Sequence, residues 1–482
     1  MVDYNKYETV IGLEVHAQLL TESKLFCGDS TAFGAEPNTQ VSVISLAHPG
    51  TLPKLNRKAI EYAIRMGLVC NCDIAKHNYF ARKNYFYPDL PKGYQISQHT
   101  TPICRNGYIT IRTSHGERQV KLTRIHLEED AGKSIHDADP QNTCVDFNRA
   151  GMPLIEIVSE PDMHSSEEAF AYLTEIRRLV RWINICDGNM EEGSLRCDAN
   201  ISIRPKGATK LGTKVELKNM NSIRNVKRAI DAEVRRLIEL VENGGVPRQE
   251  TRTYDPVADR SFAIRTKEDA EDYRYFPEPD LAPFDFTEEF LQGIKAGLPP
   301  LAEELIHKYV HQLQLPDYDA RVICDDKDRA DYFEQIIRFT GNYKTAANLL
   351  LGPIMSYLNE NNLDIKSLSL RPESLASLIT MIENGRLNFS VASQKILPRL
   401  ISDPTKEPSA LADELGLVQD SDTANISQWV EEVLSRMPDK VAEYRKGKKG
   451  LLGLFVGEVK KISRGKADPK ITNDLLLEKL NR

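Results

Sequence analysis

The strongest constraint on the fold is a strict alternation of residue type along Val10–Leu20. Ile11, Leu13, Val15, Ala17 and Leu19 fall on one side of an extended chain, and Gly12, Glu14, His16 and Gln18 on the other. The same split recurs at 195–203, where Leu195, Cys197, Ala199, Ile201 and Ile203 oppose Arg196, Asp198, Asn200 and Ser202. It recurs again at 214–218, with Val215 and Leu217 opposing Lys214, Glu216 and Lys218. For a single such segment the bland reading, a sheet strand with a wet outer face, prevails. Solvated faces are usually filled with Lys, Thr, Glu and Ser, whereas Glu/His/Gln and Arg/Asp/Asn/Ser offer metal ligands and hydrogen-bonding groups of fixed geometry. Several together point to a site. Glu156 adds to it, because it interrupts the otherwise apolar Met152–Val158, and a carboxylate there needs a charged partner or a metal.

At 482 residues the chain is expected to form two to four domains. From Tyr7 to about Phe286, short alternating segments broken by Pro, Gly and Asn predict twisted sheet. Two helices interrupt it, Ser165–Asn184 and one that Ser222 caps and Gly244 closes. After about Leu291 the pattern turns helical, at Pro300–Gln312, Asp326–Phe339 and Arg371–Asn384, and Ile401–Pro408 reads as a linker to a helical tail. The fold class is therefore α+β, with domains expected at 1–291, 292–407 and 408–482.

No run of about 18 apolar residues and no basic-then-apolar leader is present, so a soluble, cytoplasmic protein is expected. The eight cysteines show no disulfide spacing. Net charge is −7, so any binding of a polyanion must come from local basic patches. One such patch lies in the tail: Arg445, Lys446, Lys448, Lys449, Lys460 and Lys461, followed by Arg464, Lys466 and Lys470. Charge alone leaves nucleic-acid contact and a solvated helix face equally open.

Three further stretches carry chemistry. His126-Leu127-Glu128-Glu129-Asp130-Ala131-Gly132-Lys133 supplies carboxylates before a small-residue turn, a mixed set that suits Mg²⁺ or Mn²⁺. Arg82–Gly93 holds Lys83 and Lys92, which could neutralise phosphates, among aromatics that could stack on a base or fill the core, with core filling favoured for Phe86. Asp272–Leu281, rich in aromatics and prolines, suits a cleft wall or a rigid connection. Signatures of P-loop, Rossmann, hydrolase-elbow and zincin chemistry are all missing.

Taken together, Gly12–Leu19, Pro49–Pro53, His126–Gly132, Asp146–Gly151, Gly193–Ser202, Glu216–Ser222 and Asp272–Leu281 resemble the B subunits of bacterial aspartyl/glutamyl-tRNA amidotransferases, along essentially the whole chain. The resemblance implies a cradle domain with an antiparallel sheet, similar to glutamine synthetase and guanido kinases, then a helical domain and a tRNA-binding tail. It implies ATP-dependent phosphorylation of the side-chain carboxylate of Glu-tRNA(Gln) or Asp-tRNA(Asn). Ammonia from the amidase, the A component of such complexes, then displaces the phosphate, and a small C component completes a heterotrimer. Resemblance and strand geometry assign Glu14, His16, Glu129 and Asp198 to Mg²⁺ or Mn²⁺, with Glu156 and Glu216 as further ligands or supports. Lys83, Lys92, Arg196 and Lys218 go to phosphates; Ser194, Asn200 and Ser202 go to hydrogen bonding of the nucleotide or acyl-tRNA end. The tail's Gly447–Gly453 block matches the family's tail and tips the basic patch toward tRNA backbone contact. One departure concerns a zinc-binding cysteine set found in many members: Cys27 is followed by Gly28 and Asp29, and Val41–Ala47 has no cysteine, so no structural zinc is expected. The competing readings are a non-catalytic tRNA-binding scaffold of the same complex and a free-standing ligase acting on a small metabolite, which would leave the basic tail without a use.

Overall fold

A computed structural model describes the chain except for residues 1, 137–138, 267–272, 419–422, 464–465 and 482, and except for the side chains of 265–266. Asp272 of the aromatic stretch and Arg464 of the basic patch therefore lie outside the described residues. The chain divides into two compact units, Met1–Pro299 and Pro300–Arg482.

The first unit is built on a 13-stranded sheet. Its main path uses ten strands, numbered here in chain order: β1 (Tyr7–Gln18), β2 (Ala81–Asn84), β3 (Tyr94–Ser97), β4 (Gly116–Glu129), β5 (Pro153–Ser159), β6 (Leu195–Pro205), β7 (Val215–Lys218), β8 (Glu250–Asp255), β9 (Arg260–Thr266) and β10 (Phe276–Pro277). Their spatial order is β9-β8-β7-β6-β1-β5-β4-β3-β2-β10. Only β7 and β8 run parallel; the other neighbours along the path are antiparallel.

The alternation in the sequence decides which side of this sheet is core. Ile11, Leu13, Val15 and Ala17 of β1, and Leu195, Cys197, Ala199 and Ile201 of β6, are all buried. Helices α1 (Ser166–Trp182) and α2 (Ile223–Glu242) pack on each other, α1 also against β1 and α2 against β6. Both begin as the sequence predicts: the Ser165 hydroxyl accepts the Glu168 amide at 3.1 Å and the Ser222 hydroxyl accepts the Asn225 amide at 3.2 Å. With one side closed by helices, the polar residues of β1, β6 and β7 stand on the other.

The segment from Leu19 to Asn56 contains no helix or strand apart from a Ser23–Ser30 bridge, and side-chain hydrogen bonds hold its shape. Asp29 accepts the Ser42 amide at 2.9 Å and the Ser45 hydroxyl. Asn38 bonds the Val145 carbonyl at 2.9 Å and the Phe147 amide at 2.8 Å. Gly132 sits where these loops converge; a Cβ there would lie 2.8 Å from the Asp146 carbonyl oxygen and 2.9 Å from that of Asp89, so no larger residue fits.

The second unit is helical, with helices at Ala302–His311, Lys327–Ile336 and Pro372–Glu383 inside the predicted segments. Its C-terminal part has an apolar core of its own, in which Ile426, Val430, Tyr444, Phe455, Val459 and Leu476 are buried. Among the described residues no helix is long and apolar enough to cross a membrane.

Candidate active site and basic tail

Antiparallel register converts the alternating strands into clusters. Glu14 of β1 stands opposite Asp198 of β6, His16 stands opposite both Arg196 and Glu156, Glu156 stands opposite His126, and Asn200 stands opposite Glu216. Residues directly opposite on one face are close neighbours. Two groups result, Glu14 with Asp198 and Glu216, and His16 with Glu128 and Glu156, each offering ligand atoms that all lie within 4.8 Å of one another. Both open into one cavity of about 700 Å³.

In the first group the Asn200 side-chain amide donates to Glu14 Oε1 at 2.9 Å and the Thr251 hydroxyl to Glu216 Oε2 at 2.8 Å. The Lys218 ammonium pairs with Asp198 and lies 3.2 Å from Glu216. Burial works against its charge, but these two carboxylates outweigh burial and raise its pKa. Glu14 is pushed above the usual carboxylate range by burial and by the charges of Glu156, Asp198 and Glu216, which Lys218 offsets only in part. In the second group His16 Nε2 is 3.5 Å from Glu128 and 3.6 Å from Glu156, and His126 Nε2 is 3.3 Å from Glu156. Burial alone would lower the pKa of His16, but its bond to Glu156 and the charges of Glu156 and Glu128 raise it to about 9. Burial opposes the charge of Glu156, yet His126, His16 and Arg124 hold its pKa well below the usual range.

In the first group three carboxylates face the single ammonium of Lys218 among the described residues. Carboxylate-rich sets with one imidazole suit a hard divalent ion, so the residues present fit Mg²⁺ or Mn²⁺.

Of the residues singled out in the sequence, Glu14, His16, Glu156, Asp198 and Glu216 meet in the cavity, and Lys83, Arg196 and Lys218 line it. Arg196 is held by a 2.8 Å bond to Asp130. Asn200 orients Glu14 through its amide. Ser194 and Ser202 are elsewhere: the Ser194 hydroxyl bonds Asp187 and, at 3.0 Å, the Asn189 carbonyl, and Ser202 is buried in β6. Glu129 also lies elsewhere. Side chains of β4 alternate, so His126 and Glu128 face the cavity while Glu129 points the other way. There it pairs with Lys92 at 2.5 Å, accepts the Ile96 amide at 2.9 Å, and lines a separate cavity of about 150 Å³ together with Lys92. Glu128, not Glu129, therefore lies beside His16 and Glu156, and Lys92 stands away from the clusters. The sequence does carry the signal: His126 and Glu128 repeat the spacing of two that marks Glu14 and His16. Phe86, expected in the core, is 81% exposed.

In the tail, Arg445, Lys446, Lys448, Lys449, Lys460 and Lys461 are all exposed. Arg445 bonds the Leu480 and Lys479 carbonyls at 3.3 and 3.4 Å, near the end of the last helix. Lys449 lies 4.3 Å over the Tyr444 ring, Lys448 is 3.0 Å from Glu443, and Lys461 is 2.5 Å from Glu458. Among the described residues Lys446 and Lys460 make no ion pair.

The family description "GatB/GatE catalytic domain" matches residues 9–292, and "GatB domain" matches residues 331–480. The chain is 48% identical to the B subunit of the aspartyl/glutamyl-tRNA(Asn/Gln) amidotransferase of Thermodesulfovibrio yellowstonii, over 98% of this chain and 99% of that protein. It is also 48% identical to the B subunits of the same name from Geotalea daltonii and Nitratidesulfovibrio vulgaris, again over 98% of this chain and 99% of each relative. With a catalytic-domain match that takes in every residue of both clusters and relatives this similar from end to end, the chain belongs to the family of aspartyl/glutamyl-tRNA(Asn/Gln) amidotransferase B subunits.

Proposed function

We propose that the protein activates the side-chain carboxylate of mischarged Glu-tRNA(Gln), Asp-tRNA(Asn) or both by phosphorylation with ATP, and then forms the amide with ammonia that the amidase partner releases from glutamine. A small third protein, the C component, would complete the heterotrimer. The observation that carries this reading is the pair of carboxylate clusters sharing one cavity with Lys83, Arg196 and Lys218. A carboxylate is a poor electrophile until it becomes an acyl phosphate, and phosphoryl transfer is catalysed mainly by positioning and by cations set against phosphate oxygens. The names of the relatives support the substrate class.

On this reading residues 1–291 form a catalytic cradle of the glutamine synthetase and guanido kinase type, 292–407 a helical domain and 408–482 the tRNA-binding tail. Glu14, Asp198 and Glu216, and His16, Glu128 and Glu156, would hold Mg²⁺ or Mn²⁺. Such ions, when bound, neutralise phosphate oxygens and hold them in place. Arg196, fixed by Asp130, and Lys218, fixed by Asp198, bring two cations to the phosphates without an entropic search at the moment of reaction. Asn200 keeps Glu14 in its rotamer. A side-chain carboxylate oxygen attacks the γ-phosphorus and the bond to ADP breaks. Ammonia then attacks the acyl carbon and loses a proton, and phosphate leaves.

The test is ATP-dependent conversion of Glu-tRNA(Gln) to Gln-tRNA(Gln) by the chain co-expressed with its amidase and small partners, compared with its Asp198→Asn variant. Conversion lost while tRNA binding persists supports the reading; conversion intact in the variant returns the chain to a scaffold that only delivers tRNA.

A further inference from the structure

The cavity has a second end with different chemistry. Tyr85, Tyr273, Tyr275 and His99 form a run of rings along it, with centroid separations of 6.1 Å and 6.0 Å between the tyrosines. His99 lies parallel to Tyr275, 3.9 Å away and tilted by only 7°. Because His99 is exposed, the stack is open to a further planar ring. Phe86 and Tyr87 continue the rings outward and are 81% and 59% exposed.

The wall is rigid. The Asn84 amide and side chain bond the Tyr273 carbonyl at 3.0 and 3.1 Å, and the same side chain bonds the Arg274 carbonyl at 2.8 Å. Arg274 has φ +45°, a conformation non-glycine residues seldom hold unless the surroundings impose it.

The cations differ too. Lys218 and Arg196 are already paired with carboxylates. At the aromatic end Lys83 lies 4.8 Å over Tyr273 and 5.6 Å over Tyr85 and makes no ion pair among the described residues, whereas the charge of Arg124 already acts on Glu156. Arg124 Nε is buried without a hydrogen-bond partner. Aromatic platforms beside cations are how proteins hold unpaired nucleic-acid strands. Distance also matters. From β2 to β4, which carries Glu128 of the second cluster, there are two neighbour-to-neighbour steps, about 10 Å along the sheet, a span that the acyl end of a seated strand can cross.

We propose that this aromatic wall seats the unpaired 3′-terminal nucleotides of the acylated RNA, presenting the acyl group along the sheet to the carboxylate clusters. The proposal rests on the function proposed above. The open rim favours a strand that enters from solvent, and the nucleotide's phosphates go to the cluster end, leaving the rings to the RNA.

The test uses the assembled complex and measures KM separately for Glu-tRNA(Gln) and for ATP, with glutamine hydrolysis as the check on folding. Tyr275→Ala, and independently the surface substitution Phe86→Ala, should raise KM for the tRNA, about tenfold for Tyr275, and leave KM for ATP within about twofold. Tyr275→Phe, which keeps the ring, should restore tRNA affinity. Quenching of a 2-aminopurine placed at the 3′ terminus should weaken in parallel. A rise in KM for ATP alone would give the rings to the ATP base and overturn the proposal, as would two unchanged KM values. If the wild-type complex forms no amide at all, the functional reading fails and the proposal falls with it; a working wild type with insensitive variants sinks the proposal alone.

Discussion

The cavity of the first unit and the basic surface of the tail both gather charge, by opposite means. In the cavity, charged side chains are half-buried, mixed in sign and placed by strand register, so that Glu14 meets Asp198 and His16 meets Glu156 whatever the rotamers of their neighbours. In the tail, six exposed cations stand on short helices and turns around a small core, and local contacts such as Lys448 with Glu443 restrain several of them only loosely. Fixed geometry suits a reaction whose charge develops at defined atoms. Density of charge is enough for a phosphate backbone, where contacts position without specifying.

If that contrast is right, single substitutions should be severe in the cavity and graded in the tail. Glu14→Gln is expected to lower kcat for amidation by about 10²–10³-fold, with tRNA affinity unchanged by filter binding; equal loss of both would break the contrast. The two faces of β4 sharpen it. Glu128→Gln should weaken Mn²⁺ binding by about 10–100-fold in calorimetry, whereas Glu129→Gln should leave it within about twofold, and the reverse order would reinstate Glu129 as a ligand. Replacing Lys448 and Lys449 together by Ala should weaken tRNA binding several-fold and make the slope of log affinity against log salt shallower by about two, with glutaminase activity of the complex near normal. Unchanged affinity across salt would remove these lysines from the interface.

The smallest effect concerns pH. The pKa of His16 rises on folding from 6.5 to about 9. In protein stripped of divalent ions the stabilisation from its charge is therefore fully present below about pH 6.5 and is lost as pH rises through 9. The Tm advantage of wild type over His16→Gln should shrink between those values; an advantage that is flat or grows with pH would contradict the assignment.

Much of this is legible because strands have period two. Alternation alone places Glu14, His16, Asp198 and Glu216 on one face, and the caps Ser165 and Ser222 mark α1 and α2. The same spacing of two joins His126 to Glu128, but reading the acidic run as a block passes over that parity, and the assignment falls on Glu129 instead. Alternation does not give partners distant in sequence: Tyr275 finds His99, and Lys92 finds Glu129, only after the sheet has assembled. Phe86 escapes sequence reasoning because burial is the common fate of an aromatic, and nothing in its neighbours reports that the chain there runs along an open rim.

The central claim is that the side-chain carboxylate passes through an acyl phosphate. Glu-tRNA(Gln) labelled with ¹⁸O in the side-chain carboxylate, converted by the complex with ATP and glutamine, tests it directly. One labelled oxygen should appear in the inorganic phosphate for each amide formed; amide formed with unlabelled phosphate would contradict the claim.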